Sequence, residues 1–233
     1  MSHGRRGGAI SGMPMAKGYL RVMNKVHKCL AVIVAGVLCV VAVPAARADT
    51  LDSIKKTYGA ITTVEARFQQ KIALSALKRT REAKGEFYYK RGRGFLWKYT
   101  APTEKVFLYD GTAIWQEEAE NPVVIRQKVD KAKMEGNLVM DLVEDVGRID
   151  QLFSTKAEGR EGDMDVIELL PKKEGTMQSA RIWVDSQFII RKLEVTEITG
   201  NVNTIEFSSV KINKPLADSL FVFKPGGRQV EEQ

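Results

Sequence analysis

The chain has 233 residues, with 36 Lys and Arg against 29 Asp and Glu and a formal net charge of +7. Seven of those basic residues and none of the acids lie in the first 48 positions, so residues 49–233 balance at 29 against 29; the apparent basicity makes no case for nucleic acid or an anionic membrane surface. Both histidines, His3 and His27, and both cysteines, Cys29 and Cys39, lie in the same first segment. Residues 49–233 can therefore hold no disulfide, no Cys/His zinc site and no histidine-based catalytic triad.

Lys25, His27 and Lys28 precede an apolar run from Cys29 to Val43, which ends in Ala46-Arg47-Ala48. That order reads as a secretory signal peptide cleaved before Asp49, since a run of about fifteen residues is short for a membrane span of roughly twenty. Cys39 follows Val37 and Leu38 rather than a small residue, so no lipid anchor is expected. Residues 1–48 are expected to be removed, leaving 49–233 as one domain of about 185 residues, undivided by any linker, repeat or low-complexity run.

Asp49 or Thr50 can cap a short helix in which Leu51, Ile54 and Tyr58 share a face and Gly59 marks the end. From Val64 the period changes to two: Val64, Ala66, Phe68, Ile72 and Leu74 point one way, and Glu65, Arg67, Gln69 and Lys71 the other. The stretch from Gly85 to Trp115 then holds half of the chain's Phe, Trp and Tyr residues. Phe87 and Tyr89, then Phe95, Trp97 and Tyr99, then Val106 and Leu108 alternate with their neighbours as antiparallel strands do, with turns at Gly92 and Gly94 and a hairpin signal at Asp110-Gly111. Large apolar side chains fall on both faces of some of these strands, so both faces must meet something apolar, one as packed core and the other as a lined cavity.

The acidic run Gln116–Pro122 reads as a solvated loop rather than a pair of catalytic carboxylates, because nothing in it separates the pKa values. Asp163 and Asp165, in the Gly-containing run from Glu158, are a weak metal signal, and Arg91-Gly92-Arg93-Gly94 reads as a hairpin turn rather than an RNA-binding segment. No catalytic residue, metal or cofactor is assigned. A strand over Val123–Val129 is followed by helical spacing of Leu138, Val139, Leu142, Val143 and Val146, and, past Gly147, of Ile149, Leu152 and Phe153. This excursion either packs as core or covers a site as a movable lid. Further strands are expected over Val166–Leu170, Ala180–Asp185, Phe188–Ile198, Asn203–Ile212 and Leu220–Phe223, with a turn at Gly200-Asn201. The fold class is therefore mainly β with helices, a strongly curved antiparallel sheet or incomplete barrel of about ten strands.

Read together, Phe68, Gln69-Gln70, Gly85, Lys90-Arg91, Phe95, Trp97, Pro102, Asp110-Gly111 and Trp115 resemble the periplasmic lipoprotein carrier family. Gly200, Thr204, Phe207, Asn213, Phe221, Phe223, Pro225 and Gly227 continue the match in order. The resemblance implies an eleven-stranded half-barrel closed by a helical lid over an apolar cavity for acyl chains. On it the cavity is expected to be lined by Phe68, Phe95, Trp97, Tyr99 and Leu108, the lid to be formed by Leu138, Leu142, Val143, Ile149 and Phe153, and Arg91 to latch that lid through carbonyls of the Leu138–Val146 helix or its Gly147 hinge. It also implies a monomer in the periplasm, loaded by an inner-membrane lipoprotein-releasing transporter and unloaded by an outer-membrane acceptor, without nucleic acid. Two departures stand out: Gly92 follows Arg91 where the family often has Pro, and Gln116–Pro122 replaces a Tyr-Asp-Pro segment.

A carrier of another lipid or amphiphile is the alternative within binding; a secreted hydrolase would need carboxylate or Ser/Lys chemistry that the residues do not display, and a structural β-domain would have a filled interior. The intact mass of the exported protein is expected to correspond to a chain beginning at Asp49 with no lipid adduct. A retained signal or a diacylglycerol adduct would make the protein membrane-anchored.

Overall fold

The computed structural model describes residues 45–129 and 146–233. Helix α1 (Ala45–Ala60) starts four residues before Asp49, because Ala45-Ala46-Arg47-Ala48 are strong helix formers. Two residues later the chain enters β1 (Thr63–Leu74) and winds through β2 (Arg79–Lys90), β3 (Gly94–Ala101), β4 (Lys105–Tyr109), β5 (Ala113–Glu118) and β6 (Val123–Lys128). It resumes with a 3-10 turn at Val146–Arg148 and the one-turn helix α2 (Ile149–Leu152). Then come β7 (Phe153–Glu161), β8 (Met164–Pro171), β9 (Met177–Val184), β10 (Ile190–Glu197), β11 (Val202–Ile212), a 3-10 turn at Asp218–Phe221, and β12 (Gln229–Glu232).

These twelve strands form one sheet in the order β12-β6-β5-β4-β3-β2-β1-β11-β10-β9-β8-β7. Every pairing among the described residues is antiparallel except β12 with β6. The two edges, β12 and β7, do not pair with each other, so the sheet is an open half-barrel rather than a closed one. β1 sits inside it, bonded to β2 on one side and β11 on the other.

The sheet exceeds the expected strand number through its two edges. β7 occupies much of the run that reads as a Gly-containing loop, and its hairpin to β8 turns at Gly162 (φ 63°). An edge strand is paired on one side only and needs no apolar alternation, so neither FSTKAEGRE nor QVEE advertises itself. The strand expected over Leu220–Phe223 is instead the 3-10 turn Asp218–Phe221. Phe153, expected in the short helix, is the first residue of β7. The β4–β5 turn centres on Gly111-Thr112 rather than Asp110-Gly111, because Asp110 and Ala113 close it as a pair (Asp110 N to Ala113 O, 3.1 Å).

The aromatic stretch divides its side chains by register. Phe95 lies opposite Tyr109, Trp97 opposite Phe107 and Phe87, and Phe68 opposite Gly85 and Phe207, so all of these share the inner face. Phe68 meets the rings of Trp97 and Tyr99 edge-on at 4.7 and 5.0 Å. Leu108 lies opposite Leu96 and Trp115 and so faces the other way. On that outer face the C-terminal segment stacks Phe223 on Trp115 at 4.9 Å, and Arg126 of β6 lies over the same indole at 5.1 Å. Asp218 fixes the segment to the β2–β3 hairpin through Lys90 at 2.6 Å and Arg93 at 2.5 Å.

Asp110 holds this arrangement from the turn. Its carboxylate accepts from the Trp115 indole N–H (2.7 Å), the Thr112 hydroxyl and the backbone N–H groups of Thr112 and Ala113. Partial burial works to raise its pKa, but those donors outweigh it and hold the carboxyl below the usual range.

Gly85 is the one residue over which the Phe68 ring can lie. A Cβ there would stand 2.1 Å from the Lys98 carbonyl oxygen and 2.8 Å from the Phe68 ring. Gly85→Ala is therefore expected to lower unfolding stability by about 1–3 kcal/mol, measured by urea denaturation. Strand propensity alone predicts the opposite sign, so a stabilised variant would remove the packing explanation.

Candidate functional site: an apolar cavity beneath helix α1

Helix α1 lies on the inner face because Leu51, Ile54 and Tyr58 recur at helical spacing, with Ile54 wholly buried. They join Val146, Ile149 and Phe153 over Ile167, Leu169, Ile182 and Leu193 of β8, β9 and β10. A second cluster, built on Phe68, Phe87, Tyr89, Phe95, Trp97 and Tyr109, occupies the β1–β4 half of the same face. Between the two clusters lies a cavity of about 180 Å³. Its floor is Val64, Ala66, Phe87, Tyr89, Trp97 and Phe207, its far wall Ile190 and Leu193, and its roof Tyr58 and Gly59 of α1 with Val146 and Gly147.

Two cations, Lys55 and Arg91, are among the lining residues, and both bind the roof. Lys55 Nζ donates to Asp150 Oδ2 at 2.6 Å, joining α1 to α2; this bond is the main reason the Asp150 carboxyl lies below its usual range. Arg91 follows the end of β2 and turns its guanidinium onto the C-terminal end of α1. Nη2 donates to the carbonyls of Tyr58 (2.8 Å), Gly59 (3.1 Å) and Ile61 (2.6 Å), and Nε donates to Ile61 at 3.0 Å. Helix ends leave such carbonyls without partners and carry partial negative charge, so a guanidinium satisfies them twice over. Asn213 secures the same junction, accepting from Thr62 N–H at 2.7 Å.

Tyr58 is the polar exception within the roof. Its hydroxyl accepts from Ile190 N–H at 3.1 Å, and burial pushes the phenol up to about 12.

Of the residues expected to line the cavity, Trp97 does so. Phe68, Phe95 and Tyr99 share its face and form the aromatic cluster beside the cavity, whereas the register puts Leu108 on the outer face. Ile149 and Phe153 pack with α1 in the first cluster; Leu138, Leu142 and Val143 lie outside the described residues. Among the described residues Arg91 bonds to the end of α1 and to Ile61 just beyond it; the helix expected over Leu138–Val146 lies, but for Val146, outside the described residues. Val64 and Ala66 could have been named from the alternation of β1. Ile190 and Leu193 could not, because only the pairing of β11 with β1 brings the β10–β11 hairpin beside the aromatic strands.

Three of the carboxylates considered for chemistry are tied into separate structural pairs. Glu117 bonds Arg228 at 2.5 Å, Glu118 pairs with Lys105, and Asp165 lies 3.2 Å from Arg160. No group of three His, Cys, Asp or Glu that could hold a metal occurs among the described residues. None of the described helices is long and apolar enough to cross a membrane.

Comparison with known proteins agrees with this architecture. The family profile described as "Outer membrane lipoprotein carrier protein LolA" matches residues 59–224. An outer-membrane lipoprotein carrier protein of Nitrosospira multiformis is 28% identical over 179 residues, 76% of this chain and 86% of the relative. One from Methylibium petroleiphilum is 26% identical over 189 residues, 81% of this chain and 91% of the relative. Among solved structures, an uncharacterized conserved protein of Thermus thermophilus shares the fold at TM-score 0.52 and 12% identity, covering 81% of this chain and 99% of that one.

Tyr58→Phe removes the acceptor of the Ile190 N–H and is expected to lower stability by about 1–3 kcal/mol, the cost of leaving a buried donor unpaired. An unchanged urea midpoint would show that another acceptor replaces the phenol.

Proposed function

Because the chain belongs to the outer membrane lipoprotein carrier family LolA, we propose that it is a periplasmic carrier that takes lipoprotein acyl chains into the cavity beneath α1 and hands them on. Residues 1–48 then serve as the export signal. An inner-membrane lipoprotein-releasing transporter supplies the cargo, an outer-membrane acceptor removes it, and the carrier itself performs no catalysis.

The observation that carries this reading is an apolar space whose roof is tied down at the C-terminal end of α1 by the Arg91 guanidinium. At about 180 Å³ the space falls below the ~300–1,000 Å³ of pockets that enclose drug-sized ligands, so cargo has to displace part of the roof. Burying ~14 methylenes at ~0.8 kcal/mol each yields on the order of 11 kcal/mol, enough to bind and awkward to release. A roof that refills the emptied space offsets part of that gain. Hydrogen bonds from a charged donor contribute roughly 1.5–3 kcal/mol, a useful size for such an offset. Val146–Phe153, with the excursion that precedes it, completes the lid in this reading, and Phe68, Phe95, Trp97 and Tyr99 form the apolar bed on which acyl chains come to rest.

Arg91→Leu is expected to favour the open form by about tenfold, raising apparent affinity for a labelled lipopeptide and slowing its transfer to an acceptor. Arg91→Lys, with fewer donors and no planar fork, should fall between. Stopped-flow uptake and transfer measure both steps. Wild-type rates in Arg91→Leu would reduce this arginine to a fixed structural tie. Native mass spectrometry of the protein from its own envelope identifies the cargo: free lipid in place of lipoprotein would redirect the reading to a lipid carrier.

A further inference from the structure

The charge balance of residues 49–233 conceals a local asymmetry. Gln69–Lys84, the distal half of the β1–β2 hairpin, carries five basic residues and one acid, Glu82. Lys71, Lys78, Arg79, Arg81 and Lys84 enter no ion pair with the described residues, whereas at the opposite end of β2 Lys90, and Arg93 beyond it, pair with Asp218. At the turn, Lys78 adopts φ 47° and Leu77 is left 62% exposed. The neighbouring β10–β11 turn leaves Ile198 66% exposed. The two tips are tied together: Ser75 N–H donates to Asn201 Oδ1 at 3.1 Å, and a Cβ on Gly200 would meet Ser75 Oγ at 3.3 Å. Glu197, the acid beside them, accepts from Thr199 and Asn201 at 3.0 Å and leaves one negative charge against the five cations of the hairpin.

We propose that this end of the sheet docks on an anionic phospholipid bilayer, with Leu77 and Ile198 entering the interfacial layer and the hairpin cations meeting headgroup phosphates. Two large apolar side chains on adjacent turn tips, framed by cations that no described acid neutralises, match a surface that is apolar beneath a negative layer. Arg79 and Lys90 are the two ends of β2, roughly 36 Å apart along the strand, so a molecule seated by its tips keeps Arg91 and the roof clear of the membrane. The inference is independent of which cargo the cavity takes.

Co-sedimentation with vesicles of zwitterionic lipid, with and without added anionic phospholipid, tests it on the exported protein. Binding is expected only to anionic vesicles and should weaken as salt rises, since the attraction acts within a Debye length. Each cation near such a surface changes affinity by about fivefold, so Arg79→Glu with Arg81→Glu should weaken binding by at least about 25-fold. Leu77→Asp should weaken it at any salt concentration. Lys214→Glu, beyond the opposite end of β1, should leave it unchanged. Both native cysteines lie at positions 29 and 39, so Leu77→Cys carrying an environment-sensitive fluorophore reports insertion directly: a blue shift on anionic vesicles supports the proposal. Equal binding to neutral vesicles, or insensitivity to Arg79→Glu with Arg81→Glu, overturns it. So does capture of an acidic envelope protein by the same hairpin without vesicle binding.

Discussion

The pairing of β1 is the constraint on which the domain depends. β1 pairs along its length on both sides, with β2 next in sequence and, across one bulge between Glu65 and Arg67, with β11 more than a hundred residues away. In the sheet order the β1–β11 ladder joins the β1–β6 meander to the β7–β11 meander. Because that ladder closes the longest stretch of chain of any pairing in the sheet, its closure costs the largest single loop entropy, and the inner face exists as a continuous surface only once it has formed. Val64, Ala66 and Phe68 then lie between the aromatic half of the sheet and the aliphatic half.

From that geometry the cavity follows. The two halves present side chains of different size, rings on β1–β4 and aliphatic groups on β8–β10, and a helix resting on the aliphatic half cannot also fill the space above the rings. The space is left apolar because every buried polar side-chain atom among the described residues has a partner, the Tyr58 phenol included. The roof is anchored differently on its two sides. Its aliphatic side is packed, whereas the C-terminal end of α1 is held by carbonyls bonded to Arg91 and Asn213. Bonds of this kind exchange readily with water or with alternative donors, while packing has to be undone as a unit. In the carrier proposed above, the end of α1 bonded to Arg91 and Asn213 is the place for opening to begin.

The polar groups also separate the two ends of the molecule. Near Lys90, cations are matched to Asp218 and to backbone carbonyls; at the far end of the same strand no described acid matches them. Neutral net charge is thus compatible with a strongly polarised surface, since steering and docking respond to the local distribution.

The inner-face alternation of β1 to β4, the helix at Leu51–Tyr58 and the lack of histidine and cysteine beyond position 48 were all legible in the sequence, because period, spacing and composition are local properties. Arg91 was singled out by the family resemblance alone, since the residues around it read as a hairpin turn. Its acceptors among the described residues were not legible, since a guanidinium at the end of β2 reaches whichever carbonyls the tertiary structure brings there, and these are Tyr58 and Gly59 of α1 and Ile61 just beyond it. Leu108 had the right chemistry and the wrong face: alternation groups side chains into two sets, but only the neighbours opposite them, Leu96 and Trp115, decide which set is inner. The edge strands β7 and β12 escaped notice because a strand paired on one side needs no apolar pattern. Sequence by itself determined what each segment could be; the long-range ladder between β1 and β11 decided which surfaces face one another, because burial is a property of pairs of segments and not of either alone.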